Sequence, residues 1–323
     1  MSATCQDSFT HALAQIWAAH HGNTDGEVAS YIPELTRADP DHFGLAIATI
    51  DGRLRTHGDV EVPFTIQSVS KAFAFALATE AVGLHNIAAH VGLEPSADPF
   101  NAIVFDVENR PFNPMVNAGA IATSAILLDH FGDEAFPTLL ARFSAAAGRS
   151  LPVNEAVYQS ESRTGERNRA IAHLLRANGH LPGDPDAVLD LYFRQCAIEV
   201  TAIDLALMGA TAANMGQNPA TGQSAFDVVA IRGMLSVMFT CGMYDHAGTW
   251  AFDVGIPAKS GVGGGILGVV NRQLGIASFS PRLDRWGNSV RGVAAFETLS
   301  QEFGLHAFDC TNVGSAYLSS LVA

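Results

Sequence analysis

Hydrophobic and polar residues follow two kinds of pattern along the chain, one typical of helices and one typical of strands. Apolar positions at helical spacing predict helices at residues 6–21, 68–82, 117–131, 134–147, 164–178, 185–197, 201–215, 225–240 and about 289–303. Short apolar runs that end in turn residues predict strands at 43–50, 53–57, 250–254, 265–270 and 273–279. The pair Asp51-Gly52 lies between the first two strands and is typical of a hairpin turn.

The predicted strands lie towards both ends of the chain and the helices fill the middle. This order predicts an α+β fold with one antiparallel sheet of about five strands flanked by helices. We expect residues 1–323 to form a single domain, with an α/β subdomain at about 1–83 and 246–323. A helical subdomain at about 84–245 is then inserted between the early and late strands, and the functional site is expected where the two parts meet.

Composition narrows the class of protein. Hydrophobic residues make up 48% of the chain and charged residues 15%, which is typical of a folded globular enzyme rather than a disordered chain. The net charge of -14 argues against nucleic acid and against an anionic membrane as partners. The sequence shows no basic, apolar secretory signal, and its four cysteines have no Cys-x-x-Cys spacing. We therefore expect a cytoplasmic protein with reduced thiols and no membrane span.

The main candidate for chemistry is Ser68 with Lys71, at the start of a predicted helix. This spacing places a hydroxyl and an amine one turn apart, so that a neutral amine can accept the serine proton. The N-terminus of a helix also favours the negative charge that develops on an attacked carbonyl. A Ser-x-x-Lys match by itself is weak, because such matches arise by chance on solvated helix surfaces.

Lysine usage strengthens that match. The chain has 18 lysines and arginines, and only Lys71 and Lys259 are lysines. Burial can lower the pKa of a lysine into a useful range, whereas a guanidinium stays charged. Lys259 begins Lys259-Ser260-Gly261 on a predicted strand, which matches the second element of serine acyl-transfer sites. Both lysines are therefore candidates for one site.

Several other positions have two readings from local sequence. Asn117 is either a helix cap or a ligand contact. Residues 161–169 are rich in polar groups, and for Arg163, Glu166, Arg167 and Arg169 a solvated surface with local ion pairs is favoured. Tyrosine is rare beside 19 phenylalanines, which hints at a use for the hydroxyls of Tyr192 and Tyr244, although a core role is favoured for both. Gly261–Gly265 serves either a bent edge strand or close approach of backbone N–H groups to a ligand.

The motifs together resemble the serine-dependent glutaminase family of bacteria, which is also represented by the catalytic domain of animal mitochondrial glutaminases. The matching stretches follow one another from about residue 25 to about residue 300: Tyr31-Ile32-Pro33, Gln67–Lys71, Asn113–Ile121, Ser160-Glu161, Gly165–Asn168, Tyr192–Cys196, Cys241–Asp245, Gly255–Gly265, Ser280-Pro281 and Gly287–Val290. None of these positions departs from the family pattern.

The resemblance implies the fold of serine β-lactamases and penicillin-binding proteins. It also implies hydrolysis of L-glutamine to L-glutamate and ammonia without a cofactor or metal, and a homo-oligomer in which a tetramer is favoured over a dimer. The positions that match the family's substrate contacts are Tyr31, Ser68, Asn117, Glu161, Asn168, Tyr192, Tyr244 and Val262.

Roles follow for these positions. Ser68 is the expected nucleophile and Lys71 its base, and the backbone N–H groups of Ser68 and Val262 are the expected oxyanion hole. The resemblance places Tyr244 where it can give a proton to the leaving ammonia, and gives Lys259 a supporting electrostatic role. Glu161 suits the α-ammonium group of glutamine, and Asn117, Asn168, Tyr31 and Tyr192 suit its α-carboxylate. Ser70 points roughly 200° around the helix from Ser68 and is expected to be structural.

Two other functions stay open. A serine β-lactamase or D,D-peptidase shares Ser-x-x-Lys and Lys-Ser-Gly, but such enzymes act outside the cytoplasm. A catalytically inactive binding protein on the same fold is the other alternative. Release of ammonia from L-glutamine, measured beside hydrolysis of a chromogenic β-lactam, separates these readings.

Overall fold

The structure is a computed structural model that describes residues 3–96, 99 and 101–309, with side chains described from residue 10. Its strands are β1 Gly44–Thr49, β2 Leu54–Gly58, β3 Phe64–Thr65, β4 Glu199–Val200, β5 Ala258–Ser260, β6 Gly265–Val270 and β7 Leu274–Phe279. Its α-helices are α1 Ala3–His21, α2 Ser70–Val82, α3 Leu84–Ala88, α4 Asn117–Phe131, α5 Ala135–Ala147, α6 Glu155–Thr164, α7 Glu166–Ala177, α8 Pro185–Cys196, α9 Ala202–Ala213, α10 Val228–Cys241, α11 Ala247–Asp253 and α12 Val290–Phe303. The predicted α+β class is confirmed.

Strands from the two ends of the sequence form one antiparallel sheet, as predicted. The strand order is β2-β1-β7-β6-β5. The central pairing joins β1 to β7, with Ile47 opposite Ile276, and β6 pairs with β5, with Leu267 opposite Lys259. A separate two-stranded ladder joins β3 to β4 and lies directly before the turn that carries Ser68. The edge strand β5, which carries Lys259, contacts the 3-10 turn that carries Ser68.

The sheet separates two hydrophobic cores, because its central strands are buried on both faces. One core contains Ala46, Leu267 and Ala277 and continues into the helices of the middle of the chain. The other contains Ile47, Ile276 and Phe296, together with side chains of α1 and α12. All six residues of β6 are buried, which explains why that strand is a continuous apolar run without alternation.

The first core depends on a close approach of α9 to the sheet, at Gly209 and Gly275. A Cβ atom added to Gly275 would lie 2.3 Å from the carbonyl oxygen of Ala206 and 2.3 Å from the amide nitrogen of Ala210. A Cβ atom on Gly209 would lie 2.9 Å from the Cα atom of Gly275. Only glycine fits at Gly275 without moving the helix away from the strand.

The predicted strand at 250–254 is wrong, because this segment belongs to α11. Trp250 is 1% exposed and Phe252 is 84% exposed, while Val254 is again buried at 1%. Such a short apolar run is compatible with the period of a strand or of a helix. Burial of Trp250 and Val254, four residues apart, matches a helix. The fifth strand of the sheet is instead β5, around Lys259.

The helix predicted at 164–178 is present as α7, and a further helix, α6, precedes it. The helix α6 ends at Thr164 and α7 begins at Glu166, with Gly165 between them. Phe193 packs against Gly165, and an added Cβ there would lie 2.5 Å from its ring. The whole of α6 except its last residue was missed as a helix, because its sequence is polar and only four of its ten residues are buried.

Two expectations concern thiols and membrane segments. Cys196 and Cys241 are buried and free, whereas the side chain of Cys5 and the whole of Cys310 lie outside what is described. Within the described residues, no single helix is long and apolar enough to cross a membrane. The α10 helix and residues 244–253 meet that test together, by length and composition only, across a bend of 81°.

Candidate active site

Ser68 lies on a tight turn between β3 and α2. The turn is a 3-10 helix over Gln67–Val69, and α2 begins at Ser70, two residues later than predicted. Gln67 has a φ of +48°, which is left-handed and sparsely populated for a residue other than glycine. Ser68 is 6% exposed, so its hydroxyl group is enclosed but next to the cavity described below.

Lys71 lies in the first turn of α2 and is 1% exposed. Its Nζ atom donates a hydrogen bond of 2.6 Å to Oδ1 of Asn117 and a longer one of 3.4 Å to the carbonyl oxygen of Met115. Burial lowers the pKa of Lys71 to about 8, against a smaller opposing effect of neighbouring groups that include Glu161. An appreciable fraction of the amine is therefore neutral near physiological pH, as a general base requires.

Tyr244 and Lys259 lie behind Ser68. The Tyr244 hydroxyl donates to the carbonyl oxygen of Ser260 at 3.2 Å and also hydrogen-bonds with Ser68. Because a carbonyl only accepts and the phenol has one hydrogen, the phenol oxygen is left to accept from Ser68. Burial raises the pKa of Tyr244, so the phenol keeps its proton at neutral pH.

The second lysine shares the same carbonyl group. Nζ of Lys259 donates to the Ser260 oxygen at 2.8 Å and lies 3.8 Å from the centre of the Tyr244 ring. Lys259 is fully buried, and burial, followed by the charge of Lys71, lowers its pKa well below the ordinary value. Tyr244 has a φ of +58°, so two left-handed residues, Gln67 and Tyr244, adjoin the reacting groups.

A cavity of about 260 Å³ opens in front of Ser68. It is lined by seven of the eight positions expected to contact substrate, which are Tyr31, Ser68, Asn117, Glu161, Asn168, Tyr192 and Val262. Tyr244, Lys71 and Lys259 stand behind this wall and do not line the cavity. The structure thus brings together residues that come from distant parts of the sequence.

A carboxylate lies inside this cavity. Glu161 is 5% exposed, and its Oε1 atom accepts a hydrogen bond of 2.6 Å from the Tyr31 hydroxyl. That hydroxyl also lies 2.7 Å from Oε1 of Gln67, although the Tyr31 ring is half exposed. Burial raises the pKa of Glu161, while hydrogen bonds from Tyr31 and Gln67 and the charge of Lys71 oppose the rise. A cationic ligand would offset the free-energy cost of burying this carboxylate.

Asn117 connects the reacting amine to the ligand side of the cavity. It is the first residue of α4, and its side chain does not cap that helix. Its Oδ1 atom accepts from Lys71, and its Nδ2 atom donates to Oδ1 of Asn168 at 3.0 Å. Of the two readings of Asn117, the geometry matches the polar network of the cavity.

Further cavity residues were missed by sequence reasoning, namely Gln67, Asn101, Thr164, Gly165, Arg167 and Cys196. Arg167 was predicted to be solvated surface; its side chain is exposed, yet it lines the cavity and donates to the carbonyl oxygen of Asn101. The local ion pair expected in this segment is present, between Arg169 and Glu166 at 3.1 Å. Among these missed residues, Gln67 could have been predicted from the sequence, because it directly precedes Ser68. Within the described residues, no three His, Cys, Asp or Glu side chains are grouped as a metal site would need.

Comparisons with known proteins identify the family. The glutaminase family profile matches residues 26–308. Glutaminase 2 of Bradyrhizobium diazoefficiens is 58% identical over 285 residues, which are 88% of this chain and 46% of that protein. The chain therefore spans about half the length of the first curated relatives it matches. The glutaminase of Nostoc sp. is 50% identical over 90% of this chain and 87% of its own length.

Solved structures agree with the sequence comparisons. A probable glutaminase superimposes with a TM-score of 0.90 at 36% identity, over 95% of this chain and 99% of the other. Mglu in its glutamate form superimposes with a TM-score of 0.88 at 42% identity, over 94% of this chain and 71% of the other. The expected β-lactamase-like fold is confirmed by these neighbours. With the profile covering both halves of the cavity, from Tyr31 to Val262, the chain belongs to the glutaminase family.

Proposed function

We propose that the protein hydrolyses the side-chain amide of L-glutamine to L-glutamate and ammonia through an acyl-enzyme on Ser68. The observation that carries the proposal is the cavity, whose lining includes the nucleophile together with a buried carboxylate and two amides. A small amino acid offers the complementary groups, an ammonium and a carboxylate, at a fixed distance from its side-chain carbonyl. Family membership supports the same reaction.

The first step joins Ser68 to the substrate carbonyl in a tetrahedral intermediate. The Ser68 hydroxyl turns from Tyr244 towards Lys71, its oxygen attacks the carboxamide carbon, and its proton passes to the neutral amine of Lys71. Negative charge moves to the carbonyl oxygen, where the N–H groups of Ser68 and Val262 stabilise it. The pKa of about 8 for Lys71 supports this role, because the amine is neutral often enough to act and basic enough to hold the proton.

Loss of ammonia then gives the ester, and attack by water releases the glutamate. The C–N bond breaks when the amide nitrogen receives a proton, for which the protonated phenol of Tyr244 and the ammonium of Lys71 are the donors at hand. Water then attacks the ester carbon and gives a proton to Lys71, whose amine is neutral again. The bond from the ester carbon to the Ser68 oxygen breaks, Lys71 returns the proton to that oxygen, and L-glutamate is released. Lys259 supports the site electrostatically through the carbonyl of Ser260, which also holds Tyr244.

The amino-acid end of the substrate is held by the remaining residues of the cavity. Glu161 binds the α-ammonium group, because its carboxylate is buried and a cation beside it would offset the cost of that burial. Asn117, Asn168, Tyr31 and Tyr192 bind the α-carboxylate through amide and phenol groups. This arrangement favours a free amino acid over a peptide.

Release of ammonia from L-glutamine tests the proposal, with L-asparagine and a chromogenic β-lactam assayed in parallel. Ser68→Ala should abolish turnover while leaving the circular dichroism spectrum unchanged. Lys71→Arg should fail nearly as badly, because charge is kept and the base is lost. Ser124→Ala is the matched control, since this buried serine donates a hydrogen bond within α4, to the carbonyl oxygen of Ala120 at 3.0 Å. Turnover by Ser68→Ala, or β-lactam hydrolysis without glutaminase activity, refutes the proposal.

We further propose a cytoplasmic homo-oligomer, with a tetramer favoured over a dimer and residues 1–323 forming one domain of two subdomains. These proposals rest on the family resemblance and on the distribution of strands and helices. Light scattering on the purified protein and fractionation of the source cells test them. A monomer at assay concentration, or recovery outside the cytoplasm, contradicts them.

A further inference from the structure

Two fully buried polar side chains, Ser70 and Gln195, lie beneath the nucleophile turn. Oγ of Ser70 donates a hydrogen bond of 2.6 Å to the carbonyl oxygen of Gln67. Nε2 of Gln195, on α8, donates one of 2.9 Å to Oγ of Ser70. The backbone N–H of Ser70 reaches the same Gln67 oxygen. The carbonyl of Gln67 is thus held by a chain of donors that crosses from α2 to α8.

The Gln67 carbonyl belongs to the same peptide group as the N–H of Ser68. A peptide group is planar, so a bond that fixes the direction of its oxygen also fixes the direction of its N–H. A hydrogen bond to the oxygen also polarises the group and makes its N–H a stronger donor. The left-handed φ of +48° at Gln67 means that this peptide lies in an unfavourable backbone conformation that its surroundings must maintain.

Packing alone does not explain why a glutamine occupies position 195. The hydrogen of Ser70 is already given to Gln67, so Ser70 must accept from the amide NH2 group, and Oε1 of Gln195 then points away. That Oε1 atom is buried and has no hydrogen-bond partner among the described residues. A buried acceptor without a donor lowers stability, and an apolar side chain of similar size would avoid this loss.

We propose that Ser70 and Gln195 are positioning residues that aim and strengthen the Ser68 N–H as an oxyanion donor. This inference rests on the proposed function, in which that N–H stabilises the charge on the attacked carbonyl. Their effect should fall on the transition state and not on the bound substrate, because the oxyanion exists only during the reaction.

Gln195→Leu is the decisive variant, because it removes the donor to Ser70 together with the unpaired oxygen. We expect kcat for L-glutamine to fall about tenfold, with KM changed by less than about twofold and Tm equal or higher. Loss of a complete oxyanion donor lowers kcat by about 100- to 1000-fold, so a misdirected donor should lower it less. Ser70→Ala should lower kcat similarly, and Ser70→Thr, which keeps the hydroxyl, should restore part of it.

Ser300→Ala is the matched control. Ser300 is also buried, and its Oγ atom donates a bond of 2.6 Å to a carbonyl, that of Val254, in the other core. It should lower Tm without changing kcat. The amide nitrogen shift of Ser68 in an NMR spectrum should move in Gln195→Leu and stay in place in Ser300→Ala, a readout that needs no turnover.

The outcomes separate the two proposals. A wild-type protein that releases no ammonia from L-glutamine refutes the proposed function. An active wild type refutes the role of Ser70 and Gln195 if kcat is unchanged in folded Gln195→Leu and Ser70→Ala. The role of Ser70 and Gln195 is also refuted if these variants change KM and not kcat, or if the NMR shift of the Ser68 amide nitrogen is unchanged in Gln195→Leu.

Discussion

At the scale of single residues, the site depends on the burial of lysine. Burial lowers the pKa of Lys71 to about 8, as the role of base proposed for it requires, and Oδ1 of Asn117 accepts a hydrogen bond of 2.6 Å from its amine. The scarcity of lysine in the sequence was enough to single out Lys71 and Lys259. Their hydrogen-bond partners were not predictable, because Met115 and Asn117 approach Lys71 only after α4 packs on α2.

The first prediction concerns the pH dependence of turnover. Lys71 must be neutral to accept a proton, so kcat/KM for L-glutamine should rise with pH and level off above about pH 8. Initial rates of ammonia release between about pH 6 and pH 10 give this profile. A profile that falls through that range would show that the charged amine is the active form.

The second prediction concerns the energetic consequence of the same burial. Below about pH 8, Lys71 is charged in both the folded and the unfolded chain, and the folded state carries the full cost of burying that charge. Between about pH 8 and pH 10.5, only the unfolded chain keeps the proton, so the free energy of unfolding rises with pH. Lys71→Met should therefore raise the free energy of unfolding at pH 7 by about 1–3 kcal/mol. Urea unfolding at pH 7 and near pH 10 measures this gain, which should shrink at the higher pH. Lower stability of the variant at pH 7 contradicts the argument.

At the scale of elements, period and burial decided which predictions succeeded. Helices with a clear apolar face, such as α12, were predicted within one or two residues of their ends. The helix α6 was missed because its last six residues are polar, and it ends before Gly165, where Phe193 leaves no room for a side chain. The segment around Trp250 was assigned to the wrong period because seven residues are too few to separate a helix from a strand.

The third prediction belongs to the contact between α9 and β7. Gly275→Ala places a methyl group 2.3 Å from backbone atoms of α9, and should lower the free energy of unfolding by about 1–3 kcal/mol or more. Gly248→Ala is the control, because this exposed glycine of α11 has nothing within 4 Å of an added Cβ. It should leave stability unchanged or raise it by about 0.5–1 kcal/mol. Equal effects of the two substitutions on urea unfolding would show that the close contact is not limiting.

At the scale of the whole molecule, the site is produced by the sheet. The pairing of β1 with β7, and the edge position of β5, place Lys259 beside a turn that lies about 190 residues earlier in the sequence. The motifs predicted which residues belong together, whereas their distances required the fold. Nothing local in the sequence predicts that Tyr31 reaches both Gln67 and Glu161.

The fourth prediction follows from the sheet that both cores share. Of the three tryptophans, Trp250 lies in the core formed with α1 and α12 and Trp17 packs against it, whereas most helices surround the other core. Because the two cores use opposite faces of the same strands, they should unfold together. Tryptophan fluorescence and far-ultraviolet circular dichroism should therefore give superimposable urea curves for the isolated protein. A fluorescence transition that precedes the other would show that the cores unfold separately.

The burial of both lysines has a consequence for chemical modification. Lys71 and Lys259 are 1% and 0% exposed and are the only lysines in the sequence, so the folded surface carries its fixed side-chain cations on arginine. Acylating reagents, which react with neutral ε-amines, can reach a lysine of this protein only while the structure around the candidate site is open. The rate of lysine acylation, followed by mass spectrometry, thereby reports how often the catalytic centre opens, with no probe introduced into the chain.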